Sequence, residues 1–147
     1  MTQNEKNLLL QDICSRLPYG VICKSVNFTN PTKLVSIDLD GPAHDVYFCI
    51  NDDGAMWNDY DEIKPYLFPL SSMTKEQKYD FYCRFVENEI SFDDFKEFYL
   101  DRGMWHKLLT SLDDIGSVIA WYVKNHFDYR GLIPMGLAID ATGKDIY

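Results

Sequence analysis

The sequence predicts an α+β fold: an N-terminal helix, a three-stranded antiparallel meander, a mainly helical C-terminal half packed on that sheet, and a short C-terminal strand. Three observations carry this. Strand-like runs fill the chain after the first helix and are joined by connections too short for parallel crossovers. After Thr74 the apolar period changes from about 2 to about 3.6 residues. Four helix-start signals each precede a matching amphipathic stripe, so local chemistry and periodicity agree. At 147 residues the chain is expected to form one domain, 1–147. A domain of this size buries about 70% of the surface its unfolded chain exposes, so no disulfide or metal is required to hold it.

The first element is a helix from about Asn4 to Leu17. Thr2 with Glu5 makes a capping box, and Leu9, Ile13 and Leu17 recur every fourth residue, with Leu10 and Cys14 widening the stripe. Pro18 stops it and Tyr19-Gly20 supplies the turn. Strands are expected over Val21–Phe28, Lys33–Asp40 and Asp45–Asn51, with breaks at Thr29-Asn30-Pro31 and Gly41-Pro42. The second run alternates, Leu34, Ser36, Asp38 and Asp40 on one face and Val35, Ile37 and Leu39 on the other. A turn at Asn51–Gly54 opens an irregular stretch in which Ile63–Leu67 reads as one helical turn, followed by extended Phe68-Pro69.

Thr74 with Gln77 starts the second half, where Tyr79, Tyr82, Cys83, Val86 and Ile90 form a helical stripe. Ser91 with Asp94 starts Phe92–Leu100, with Phe92, Phe95 and Tyr99 on one face and Gly103 as the stop. Ser111 with Asp114 starts Leu112–Asn125, with Leu112, Ile115, Ile119, Tyr122, Val123 and His126 on one side. The tail reads as a short helix ended by Gly136 and a strand Leu137–Asp140.

Fourteen basic and twenty-three acidic residues give a formal charge of −9. The cations are scattered singly, so direct binding of a nucleic-acid phosphate backbone is not expected. The acidity reads as solubility or as attraction for a basic partner, the latter carried by Asp52, Asp53, Asp59, Asp61 and Glu62 and by Glu87, Glu89, Asp93, Asp94 and Glu97. Cys14, Cys23, Cys49 and Cys83 show no metal-ligand spacing and fall at apolar positions, as reduced core thiols do. The apolar run Leu8–Leu10 is too short for a secretory leader and no run spans a bilayer, so a cytoplasmic protein without membrane contact is expected.

The densest polar cluster is His126-Phe127-Asp128-Tyr129-Arg130-Gly131, where a long helix ends. The structural reading is a corner: the helix dipole favours protonated His126, and Asp128 caps the next turn. The functional reading presents Tyr129 and Arg130 to a ligand, both residue types common at binding hot spots. Trp57, Tyr60, Tyr66 and Phe68 either lid a core or, rimmed by acids, form a contact surface, with Trp57 and Tyr66 the binding candidates. Asp38 and Asp40 point the same way from one strand but lack a converging third group; the bland reading is a wet face. His44 and His106 are isolated, and neither a nucleophile setting nor a phosphate-cradling glycine loop occurs. No cofactor, metal or catalytic residue is therefore expected.

Three runs, Leu17-Pro18-Tyr19-Gly20-Val21, Ile63–Thr74 and Asn125–Gly143, resemble a family of small uncharacterised proteins from gut Bacteroidetes, their phages and mobile elements. The resemblance implies a bacterial or phage cytoplasm and a gene carried for interference with host processes or with other elements. It implies no activity, cofactor or catalytic residue. The leading expectation is a non-enzymatic interaction or regulatory module, counter-defence among its roles. The alternative is a small enzyme or ligand-binding protein with a pocket between sheet and helices, near Asp38, Asp40 and the His126–Arg130 corner.

Overall fold

The computed structural model describes residues 1–40, 46–50, 57–86 and 89–147. The break at Gly41-Pro42, the turn at Asn51–Gly54, and His44, Asp45, Asp52, Asp53 and Glu87 lie outside the described residues. The fold is α+β, and the chain divides into two compact units: Met1–Leu70 with Tyr122–Tyr147, and Ser71–Trp121.

The first unit opens on helix α1, Gln3–Arg16. Its capping box forms as read: the Glu5 N–H donates to Thr2 Oγ1 and the Thr2 N–H to the Glu5 carboxylate. Leu9 and Ile13 reach the core, and a single 3-10 turn, Leu17–Tyr19, ends at left-handed Gly20 (φ +73°). Strands β1 (Ile22–Ser25), β2 (Thr32–Lys33) and β6 (Ile63–Pro69) form one sheet with β7 (Phe127–Asp128) and β8 (Ile139–Asp140). There β1 lies antiparallel between β2 and β6, while β7 and β8 both run parallel to β6. A second, three-stranded antiparallel sheet has the order β3-β4-β5, from Ser36–Asp38, Tyr47–Cys49 and Trp57–Asn58.

Two strand expectations change. The run Lys33–Asp40 is not one strand, because the chain switches sheets within it. The Leu34 N–H donates to the Val21 carbonyl of the first sheet's side, and the next N–H, of Val35, donates to Cys49 at the second sheet. The antiparallel three-stranded sheet is thus built from its latter half and two following strands. Ile63–Leu67 is not a helical turn but the body of β6. Pro65 disfavours helical backbone at Lys64, and β6 tolerates the missing proline N–H for a geometric reason. Val26 N–H donates to the Glu62 carbonyl, which makes Lys24↔Lys64 the next bonded pair and Cys23↔Pro65 a non-bonded one. The tail after Arg130 is also corrected: a series of turns through Gly136 stands where a short helix was expected, before β8. Leu9, Ile13, Val21, Leu34, Phe48, Ile63, Leu67 and Leu132 form the shared core of both sheets and α1. Full burial of each such side chain contributes about 1.5–3 kcal/mol.

The second unit is helical: α2 (Lys75–Phe85), α3 (Phe92–Phe95) running into a π-helix (Lys96–Asp101), α4 (Trp105–Thr110), and α5 (Ile115–Lys124) as far as Trp121. Thr74 and Ser91 cap their helices as read, whereas α5 starts three residues later than Ser111 would place it. Asp114 is its cap, accepting the Ser117 N–H at 3.1 Å. Rings make the core. Phe81 meets Phe85, Trp105 and Trp121 with centroids 4.7, 5.7 and 5.1 Å apart, and Phe95 meets Tyr79, Tyr82 and Tyr99 at 5.2–5.5 Å. This is where much of the high aromatic content goes. Of the four cysteines, Cys23 and Cys49 are buried, as expected of core thiols; Cys14 and Cys83 are exposed. No helix among the described residues is long and apolar enough to cross a membrane.

Candidate functional site

Two places concentrate chemistry, a buried polar corner in the first unit and an open aromatic groove in the second.

The corner is built where α5 ends. His126 has φ +58°, the one non-glycine positive value among the described residues, and its N–H closes the helix on the Val123 carbonyl at 3.2 Å. Arg16 of α1 adds donors to two carbonyls here: Nη1 donates to Val123, in the last turn of α5, at 3.3 Å and Nη2 to Phe127 of β7 at 2.8 Å. The same guanidinium grips Asp12 with Nε and Nη2 at 2.6 and 3.0 Å, and both side chains of this pair are 0% exposed. Arg130 brings a second guanidinium to within 3.6 Å of Asp12 Oδ1 and lies over the Tyr129 ring at 4.9 Å. Tyr129 is stacked on Tyr122 (6.4 Å, 18°). Asp128 accepts the Leu132 and Ile133 N–H groups, both at 2.8 Å, so it caps the following turn as the sequence indicated. Tyr147 stacks on His126 (3.9 Å, 13°), while its hydroxyl donates to the Tyr66 carbonyl and accepts the Ile22 N–H.

His126 is not the protonated helix-end histidine expected. Burial, and then the nearby Arg16 charge, push its imidazole down to about 4, against a smaller opposite effect of the Tyr19 backbone. It is therefore neutral at pH 7. Arg16 and Asp128 are spent on Asp12 and on the fold's own backbone, whereas the buried His126 Nδ1 and Arg130 Nε have no hydrogen-bond partner among the described residues. The structure thus brings together His126, Asp128, Tyr129 and Arg130, and joins Tyr66 to them through Tyr147. Trp57 stands apart on β5, 43% exposed, whereas Tyr60 is buried edge-on against Phe48. Asp38 and Asp40 do not converge on this corner's chemistry: Asp38 Oδ1 accepts the Asp40 N–H in a turn that closes β3. Asp12 and Arg16 went unread in the sequence. Their signal was present, since both fall on the Leu9–Ile13 stripe, spaced four apart as an ion pair is.

The groove runs along α2. One hollow of about 500 Å³ is lined by Tyr82, Glu89, Ile90, Asp94, Phe98 and Tyr99. A second, about 350 Å³, is lined by Tyr79, Cys83, Val86, Glu89 and Ile90. Tyr79, Tyr82, Cys83, Val86 and Ile90 are the stripe that the sequence marks as an apolar helix face. Only Tyr82 of the five is fully buried, and Cys83 is exposed, so this seam is the floor of an open channel. Tyr79 pins the loop end of the wall by donating to the Ile90 carbonyl at 2.8 Å. The π-helix presents Phe98, 43% exposed, at the other wall. π-Helical turns are rare and concentrate at functional sites.

Both ionisable carboxyl groups of the lining are acidic, and no ion pair among the described residues engages Glu89 or Asp94. Asp94 accepts the Ser91 hydroxyl at 2.6 Å, which orients it. The Tyr82 hydroxyl is pushed up to about 12 by burial and by its Tyr99 neighbour, so it stays protonated and adds no charge beside the acids of the groove. Arg102 lies 5.9 Å from the Phe98 ring, its charge met by Glu97. Among the described residues no group of three or more His, Cys, Asp or Glu is placed to hold a metal ion. No family model, curated protein or solved structure matches the chain.

Proposed function

We propose that the protein is a non-enzymatic interaction module that docks a basic segment of a partner protein in the second unit's groove. The observation that carries this is the pairing of aromatic walls, Tyr82, Phe98 and Tyr99, with Glu89 and Asp94, carboxylates in no ion pair among the described residues, in one open hollow. A guanidinium or ammonium fits such a lining twice over, by cation–π attraction worth about 0.5–2 kcal/mol and by charge-assisted bonds to the acids. The net charge of −9 favours encounter with a basic partner at long range. The corner at His126–Arg130 supports the non-enzymatic part of the reading, because Arg16 and Asp128 there bond the first unit's own backbone. The resemblance to proteins of gut Bacteroidetes, phages and mobile elements supports a cytoplasmic regulatory setting, with counter-defence among the roles such a module suits.

The test is binding of a labelled hexa-arginine peptide by fluorescence anisotropy, with Phe98→Ala and Glu89→Gln as variants. Affinity is expected to fall steeply between ~50 and ~500 mM salt, where the screening length shortens from above 10 Å to a few Å. Each variant is expected to weaken binding by about fivefold to thirtyfold, about 1–2 kcal/mol. Binding indifferent to salt and to both substitutions would refute the reading.

A further inference from the structure

We infer that the groove is bipartite and recognises a basic side chain together with a neighbouring aliphatic one on the same peptide segment. The inference rests on the docking function just proposed and specifies its occupant. The two hollows differ in chemistry although they share Glu89 and Ile90 as a common wall. The larger one holds both carboxylates and three rings, Tyr82, Phe98 and Tyr99, and so takes the cation. The smaller one adds Val86, the Cys83 thiol and the Tyr79 ring, with Glu89 the one acid among the described residues that line it, and so takes an apolar side chain. The wall between them is held on its α3 side: Tyr79 donates to the Ile90 carbonyl at 2.8 Å, and the Ser91 hydroxyl caps α3 by accepting the Asp94 N–H at 3.1 Å. The shared floor is one helix face, Tyr79, Tyr82, Cys83 and Val86, whose spacing of three, one and three residues carries the channel along a single seam of α2.

An arginine-only occupant leaves the Val86–Ile90 hollow wet, and an apolar one leaves Glu89 and Asp94 uncompensated beside a covered ring surface, a cost that grows as water is excluded. A second copy of this chain is a poor occupant, since two bodies of charge −9 repel. The occupant that satisfies both hollows is a partner's segment with arginine or lysine close in sequence to leucine, isoleucine or valine.

Cys83 provides a direct readout, because it lines the apolar hollow and is exposed, while Cys14 is exposed on α1 outside the groove. Three acetylated glycine-based hexapeptides serve as probes on the unaltered protein: one with arginine and leucine, one with arginine alone, one with leucine alone. Affinity is read by calorimetry and thiol labelling by maleimide, located by peptide mapping. The arginine–leucine peptide is expected to bind about tenfold more tightly than either single-residue peptide and to slow labelling of Cys83 but not of Cys14. Val86→Ala is expected to remove the leucine increment alone. If both arginine peptides bind equally and Cys83 labels at its free rate, the bipartite inference fails while basic docking stands. If neither arginine peptide binds, both fall. Self-association that Phe98→Ala abolishes would instead make a second copy the occupant and overturn the inference.

Discussion

The neutral imidazole of His126 makes a quantitative demand on stability. Its ring is 7% exposed, faces the Arg16 charge and is covered by Tyr147. An unfolded histidine titrates near 6.5, whereas burial holds the folded one down to about 4. Between those values the unfolded chain binds more protons than the folded one, so stability falls as pH falls from about 6.5 to about 4 and levels off below. Carried from pH 7.5 to pH 5.0, the full shift amounts to about 2 kcal/mol, and water at the ring's edge reduces this to about 1 kcal/mol. Carboxylates titrate in the same direction, so the measurement is a difference. Urea unfolding is followed at both pH values for the unaltered protein and for His126→Asn, asparagine being the side chain that best tolerates the left-handed backbone there. The variant is less stable at both pH values, and its loss on acidification is expected to be smaller by about 1 kcal/mol. Equal losses would show that His126 is not held neutral and would refute the argument from burial and Arg16.

The buried pair makes a larger demand. Asp12→Asn leaves the Arg16 guanidinium in the core without its carboxylate and is expected to cost about 3–5 kcal/mol, read as a lowered urea midpoint; a loss under about 1 kcal/mol would mean that the Val123 and Phe127 carbonyls alone suffice. Asp128→Ala removes the acceptor of two N–H groups and is expected to cost about 2–4 kcal/mol, of which Asp128→Asn, keeping one carbonyl oxygen, recovers part; identical midpoints for the two variants would contradict the cap.

What the sequence discloses here depends on how local the deciding force is. The capping boxes of α1 and α2 are settled within four residues, and Thr2, Glu5, Thr74 and Gln77 do what their spacing says. The strand Ile63–Pro69 is decided by partners far along the chain. Ile-Lys-Pro-Tyr-Leu offers no clear period; Pro65 argues locally against helix at Lys64, but pairing with β1 and with the later β7 and β8 is what makes the run a strand. Asp128 was legible as a cap because its targets lie four and five residues on. The charge state of His126 was not, since the helix dipole is visible in sequence while Arg16, 110 positions earlier, is not. The stripe Tyr79–Ile90 shows a further limit: periodicity marks an apolar face, but nothing in the spacing says whether a neighbour covers it or leaves it as a channel.

The arginine that ties α1 to the end of α5 has a bearing on how the polypeptide matures. Its acceptors, Val123 and Phe127, are synthesised more than a hundred residues after it, and the β6 partners at Phe127 and Ile139 come equally late. During synthesis Arg16 therefore cannot be buried against these acceptors until the whole of Ser71–Trp121 has left the ribosome. That interposed segment draws its own ring-lined interior from contiguous chain and is free to condense first. The order of birth along the chain and the order of consolidation are thus reversed, with the first-made helix among the last parts to become secure.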